Sequence, residues 1–123
     1  ANARDVAALN NLAWLYTERG DKRAVDYAER AYDVAPKSPA VADTLGWALV
    51  KTGDVNRGLR LLKEARSQAP HIPDIQYHLA VALNEAGQHR EARQELERLL
   101  KSDKAFANQD DAQALYQQLS SVQ

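Results

Sequence analysis

The chain has 123 residues, 45% of them hydrophobic and 27% charged, with 17 acids against 16 bases and a formal net charge of −1. A chain of this size can bury roughly two thirds of its unfolded surface, enough for one domain that folds alone. The balanced charge gives no sign of the basic face that a phosphate backbone requires, so a nucleic acid partner is not expected, and no apolar run approaches the ~20 residues that span a bilayer.

There is no signal-like amino terminus. With no Cys, disulfides, thiolate metal sites and Cys nucleophiles are excluded, while cytosol and periplasm fit equally well. The absence of Met and the start Ala-Asn-Ala-Arg point to a fragment of a longer protein that has lost upstream sequence.

In chain order, helical spacing of apolar residues predicts six helices at about 5–18, 22–35, 39–52, 55–68, 73–86 and 89–102, and a seventh at about 108–121. The first two helices are separated by Gly20-Asp21, the third and fourth by Gly53-Asp54, and the fifth and sixth by Gly87-Gln88. Ser38 before Pro39 is a start signal, since Ser caps orphan amides and Pro has no amide to lose at the first helical position; Pro73 repeats the device. His71 and His89 fall in turns and His78 on a helix. The last segment carries Asp110 and Asp111 in its first turn and polar residues on most faces, so it reads as a solubilising cap.

The turn glycines recur at spacings of 33 and 34 residues, and Ala35-Pro36 returns as Ala69-Pro70. Three units align on this period. The first reads Leu12-Ala13, Tyr16, Gly20, Ala24, Ala28, Ala31, Pro36, and the second Leu45-Gly46, Leu49, Gly53, Gly58, Leu62, Ala65, Pro70. The third reads Leu79-Ala80, Leu83, Gly87, Ala92, Leu96, Leu99, with Lys104 in place of Pro. Small residues stand where paired helices would cross closely. A period of about 34 residues with a Gly turn at mid-repeat is the mark of stacked helical hairpins.

On these residues the chain resembles the tetratricopeptide repeat (TPR) family. The resemblance implies an all-α fold, a right-handed α-α superhelix of three hairpins over about 6–38, 39–72 and 73–106, followed by a capping helix over about 108–121. Three departures are visible. Unit one lacks a residue after its turn, Gly58 replaces a small Ala, and Ala28, Leu62 and Leu96 replace the family's mid-helix aromatic.

Each repeat offers an apolar flank to its neighbour, so an array needs covered ends. Leu99 stands where units one and two have Ala31 and Ala65, and its bulk suits packing against Leu115 and Leu119 of the last helix. No matching cap precedes residue 6, which predicts either further repeats upstream or a homo-oligomer that covers the first hairpin.

Catalytic constellations are missing. No second ligand accompanies a histidine on one helix face, and Glu95-Glu97 and Asp110-Asp111 read as solvated charge. The serines lack a nucleophile-elbow context, and the five glycines form no phosphate loop. Neither an enzyme, a metal site nor a cofactor is expected.

The TPR resemblance implies a concave face lined by the first helix of each hairpin. Its groove positions map onto Asn10, Trp14, Thr17 and Glu18, onto Asp43, Trp47, Val50 and Lys51, and onto Tyr77, Val81, Asn84 and Glu85. Asn10, Trp14, Asp43, Trp47, Tyr77 and Val81 are the candidate residues for a protein or peptide partner. Trp14 and Trp47 hold the same repeat position and are expected to stack on one another, either as seam packing or as binding anchors. Asn10, Asp43 and Tyr77 are expected to face the groove with little packing work. The Lys, Arg and Asn of the carboxylate-clamp subgroup do not match Trp14, Trp47 and Asp43, which disfavours an anionic tail as ligand.

The phrases Asn10-Asn11-Leu12-Ala13-Trp14 and Asp43-Thr44-Leu45-Gly46-Trp47 are similar to the terminal repeats of bacterial TPR proteins linked to exopolysaccharide export, many exported or lipoproteins. This resemblance implies a periplasmic or outer-membrane-associated scaffold, with a cytoplasmic one still open. The alternative is a self-association module that stacks end to end on another copy.

Overall fold

The computed structural model describes residues 5–121, and among these it contains seven α-helices and no strand. They are α1 (Val6–Glu18), α2 (Arg23–Val34), α3 (Pro39–Lys51), α4 (Val55–Gln68), α5 (Pro73–Glu85), α6 (His89–Lys101) and α7 (Gln109–Ser120). The periodicity placed all seven to within two residues at each end. His89 is the exception among the side chains, since it opens α6 rather than lying in a turn, and its Nδ1 is 2.8 Å from Asn84 Oδ1.

Local chemistry explains where the helices begin. Asp5 accepts from the Ala8 amide, Ser38 from the Val41 amide, and Asp54 from the Arg57 amide, each satisfying an orphan donor of a first turn. Pro39 and Pro73 sit at first helical positions as expected. Only the first of these has the Ser cap; the residue before Pro73 is Ile72, which offers no side-chain acceptor. Each hairpin turn is closed by a glycine at positive φ, Gly20 at 65°, Gly53 at 108° and Gly87 at 83°, a region that side chains with a Cβ rarely enter.

Within hairpins, α1 packs on α2, α3 on α4 and α5 on α6. In the middle hairpin, Gly46 and Gly58 bring α3 and α4 to their closest approach. A Cβ at Gly58 would lie 2.7 Å from the Gly46 carbonyl oxygen and 2.7 Å from Val50 Cγ2, so this departure from Ala is required by the crossing. Leu62 packs beside Gly46, while Leu45 packs with Ala13 and Ala28, and Leu96 with Ala80 and Ala112. The seventh helix closes the carboxy-terminal end: Leu96, Leu99 and Ala112 form one cluster with Leu115, Tyr116, Leu119 and Phe106 around them, as the bulk of Leu99 foretold.

The stack is curved. Neighbouring first helices touch, α1 with α3 and α3 with α5, whereas α2, α4 and α6 stand apart. Long side chains bridge that outer layer: Glu29 pairs with Arg57, the Tyr32 hydroxyl donates to Glu64, and Arg66 pairs with the buried Glu95. The closer layer is the concave one, so α1, α3 and α5 line the inside of the superhelix.

Candidate functional site: the inner aromatic groove

Helical spacing puts residues 10, 14 and 18 on one face of α1, 43, 47 and 51 on one face of α3, and 74, 77, 81 and 85 on one face of α5. These three stripes lie side by side because the inner helices are in contact. Asn10, Trp14, Trp47, Tyr77 and Val81 are half-buried along them. Thr17 and Val50, which the repeat register also assigned to the groove, are instead buried; the Thr17 hydroxyl donates to the Ala13 carbonyl at 2.7 Å, and Val50 packs with Leu59, Leu62 and Leu79.

Asp43 departs furthest from its expectation. It is 6% exposed, and its Oδ1 accepts a hydrogen bond from His78 Nδ1 at 2.8 Å. A carboxylate can only accept, so this contact fixes the proton on Nδ1. His78 is 3% exposed, so both partners are removed from water and each satisfies the other. The bond ties α3 to α5 from beneath the groove surface.

The two indoles do not stack on one another as expected, since both pack on the imidazole of His78. Trp47 stacks on it at 4.2 Å between ring centroids with a 23° tilt, and Trp14 meets it at 5.5 Å and 43°. His78 thus joins α1, α3 and α5 at one point. The ring contacts continue from Trp47 to Tyr77 at 6.2 Å and from Tyr77 to Phe106 at 6.5 Å. The Lys51 ammonium lies 5.1 Å from the centroid of the Trp47 ring, a cation–π contact. Burial first and the Asp111 carboxylate second hold the Tyr77 hydroxyl above its ordinary pKa.

His78 is the residue that sequence reading missed as part of the site. The signal was present: Asp43 and His78 are 35 residues apart, one residue more than the 34 that separate the starts of α3 and α5, so they fall at nearly matching positions on neighbouring inner helices. The matching pair in the first interval is Asn10 and Thr44. There the link is absent, because the Thr44 hydroxyl donates back to the Ala40 carbonyl at 2.9 Å. The buried Asn10 Oδ1 has no hydrogen-bond partner among the described residues.

The tetratricopeptide repeat family model matches residues 49–119, more than half of the chain and all of the second and third glycine turns. The chain belongs to the tetratricopeptide repeat family. Among curated protein sequences none matches it. Solved TPR structures share its architecture at low identity. The TPR2B-domain:pHsp70 complex of yeast Sti1 superposes with a TM-score of 0.83 at 16% identity, covering 96% of this chain and 98% of that one. The first TPR of Spaghetti (RPAP3), bound to the HSP90 peptide SRMEEVD, gives 0.76 at 16% identity over 98% and 99% of the two chains. The TPR2AB-domain:pHSP90 complex of yeast Sti1 gives 0.81 at 16%; the chain spans 48% of that structure's length. At these identities the TPR likeness carries the fold. Among the described residues no helix is long and apolar enough to cross a membrane, and no group of three or more His, Asp or Glu could hold a metal ion.

Proposed function

We propose that this TPR chain is a non-enzymatic interaction scaffold that binds a protein or peptide segment in its concave groove, along Asn10, Trp14, Trp47, Tyr77 and Val81. The observation that carries the reading is the line of ring contacts from Trp14 through His78, Trp47 and Tyr77 to Phe106, which runs across every inner helix. Half-buried aromatic rings combine contact area with low side-chain entropy, the property that makes Trp and Tyr dominant in binding hot spots. Asp43 enters this reading as the support that fixes His78. The structural neighbours named with peptide ligands support the same use of the fold.

The further setting we infer, a periplasmic or outer-membrane-associated assembly for bacterial exopolysaccharide export, is carried by the two phrases ending in Trp14 and Trp47. Self-association is the second reading, favoured by the exposed Leu15 (58%) and Val34 (37%) on the first hairpin. One experiment separates the two. Val81→Arg places a charge in the groove without touching the first hairpin, so it abolishes partner capture and leaves mass in sedimentation unchanged. Capture that survives Val81→Arg but is lost with Arg60→Glu on the outer layer refutes the concave site.

A further inference from the structure

Charge is segregated between the two faces of the superhelix. The inner helices α1, α3 and α5 and the cap α7 together carry six carboxylates and a single Lys or Arg, Lys51. The outer helices α2, α4 and α6 carry ten Lys and Arg against seven carboxylates. A formal charge of −1 for the whole chain hides this division.

The groove edges show it most plainly. Glu18, Lys51 and Glu85 occupy the same repeat position at the ends of α1, α3 and α5, and all three are exposed, so the one cation is flanked by glutamates. Asp74, also exposed, lies one turn before Tyr77 on the face of α5 that carries Val81 and Glu85. The field of Asp111 reaches the Tyr77 hydroxyl. Lys51 itself lies over the Trp47 indole, which shows that the aromatic line accepts a cation on its rings.

From this charge complementarity we propose that the groove takes a basic, apolar segment of a partner protein, with Lys or Arg side chains paired to Glu18, Asp74 and Glu85 and apolar side chains laid along Trp14, Trp47 and Val81. The inference rests on the concave-groove reading and names its ligand class. An acidic segment would meet like charge along the groove, and repulsion of that kind decides between partners as strongly as attraction does.

The test uses two short fluorescent amphipathic peptides with the same apolar residues, one bearing lysines at its polar positions and the other glutamates. Fluorescence anisotropy with the intact chain should give at least about tenfold tighter binding of the lysine peptide, weakening as salt is raised. Glu18→Gln with Asp74→Asn and Glu85→Gln, all exposed substitutions, should reduce that preference to about threefold or less, with the helical circular dichroism unchanged. Equal or absent binding of the two peptides, tighter binding of the glutamate peptide, or a preference untouched by the triple change overturns the proposal. The groove reading has its own control. A glutamate peptide that binds at least as tightly as the lysine peptide, with the binding of both weakened by Val81→Arg, defeats the charge inference alone, whereas peptide binding that ignores Val81→Arg and is lost with Arg60→Glu plus Lys63→Glu defeats the concave site itself.

Discussion

Asp43 and His78 illustrate how much one buried hydrogen bond can organise. The bond is 2.8 Å long, both side chains are almost wholly enclosed, and the imidazole is held at the angle at which two indoles pack on it. Removing one partner strands the other in a dry site, where an unsatisfied polar group costs about 1–3 kcal/mol. Asp43→Ala should therefore destabilise the chain by that amount in chemical denaturation. Asp43→Leu combined with His78→Leu should cost less than the two single changes added together, because the double change leaves no orphaned group. Strict additivity would show that the two side chains are not coupled. The sequence displayed Asp43 only as an acid at a groove position. Its burial depends on the lateral offset of α5 against α3, a tertiary quantity that periodicity along a single helix does not contain.

At the scale of elements, the helices were legible because the signals that define them are local. Turn glycines, the Ser38-Pro39 start and apolar spacing all act within a few residues, and each appears in the structure where the sequence put it, with the positive φ values of Gly20, Gly53 and Gly87 as the clearest case. The cap was legible for a different reason: Leu99 breaks the Ala31 and Ala65 pattern, and a larger side chain at a repeat seam needs a different neighbour. Gly58 was visible only as a departure. Its cause is the crossing of α3 and α4, where the Gly46 carbonyl and Val50 occupy the space a methyl group would need. Gly58→Ala should cost about 1–3 kcal/mol through overpacking, even though Ala is the better helix former by nearly 1 kcal/mol. A stabilised variant would mean that the hairpin opens at no cost and that the close approach is not what holds it together.

For the whole molecule, curvature turns a repeated helix into a concave surface. The inner layer touches helix to helix while the outer layer is spanned by Glu29 with Arg57, Tyr32 with Glu64 and Arg66 with Glu95, so the aromatic residues converge and the basic residues spread. The repeat register put Trp14, Trp47, Tyr77 and Val81 on the first helices of the hairpins, and in the structure all four are half-buried there. It did not foresee His78 between the indoles or the burial of Thr17 and Val50, because a register assigns a face and says nothing of depth. The central claim is that partner contact falls on this inner face. It is tested most directly by mapping amide and indole chemical shifts of the intact chain while the lysine-bearing amphipathic peptide is titrated in. The account predicts that the Trp14 and Trp47 indole signals and the amides of Tyr77, Val81 and Glu85 move together and saturate. Saturable shifts confined to Arg57, Arg60 and Lys63 on α4, with both indole signals unmoved, would contradict it.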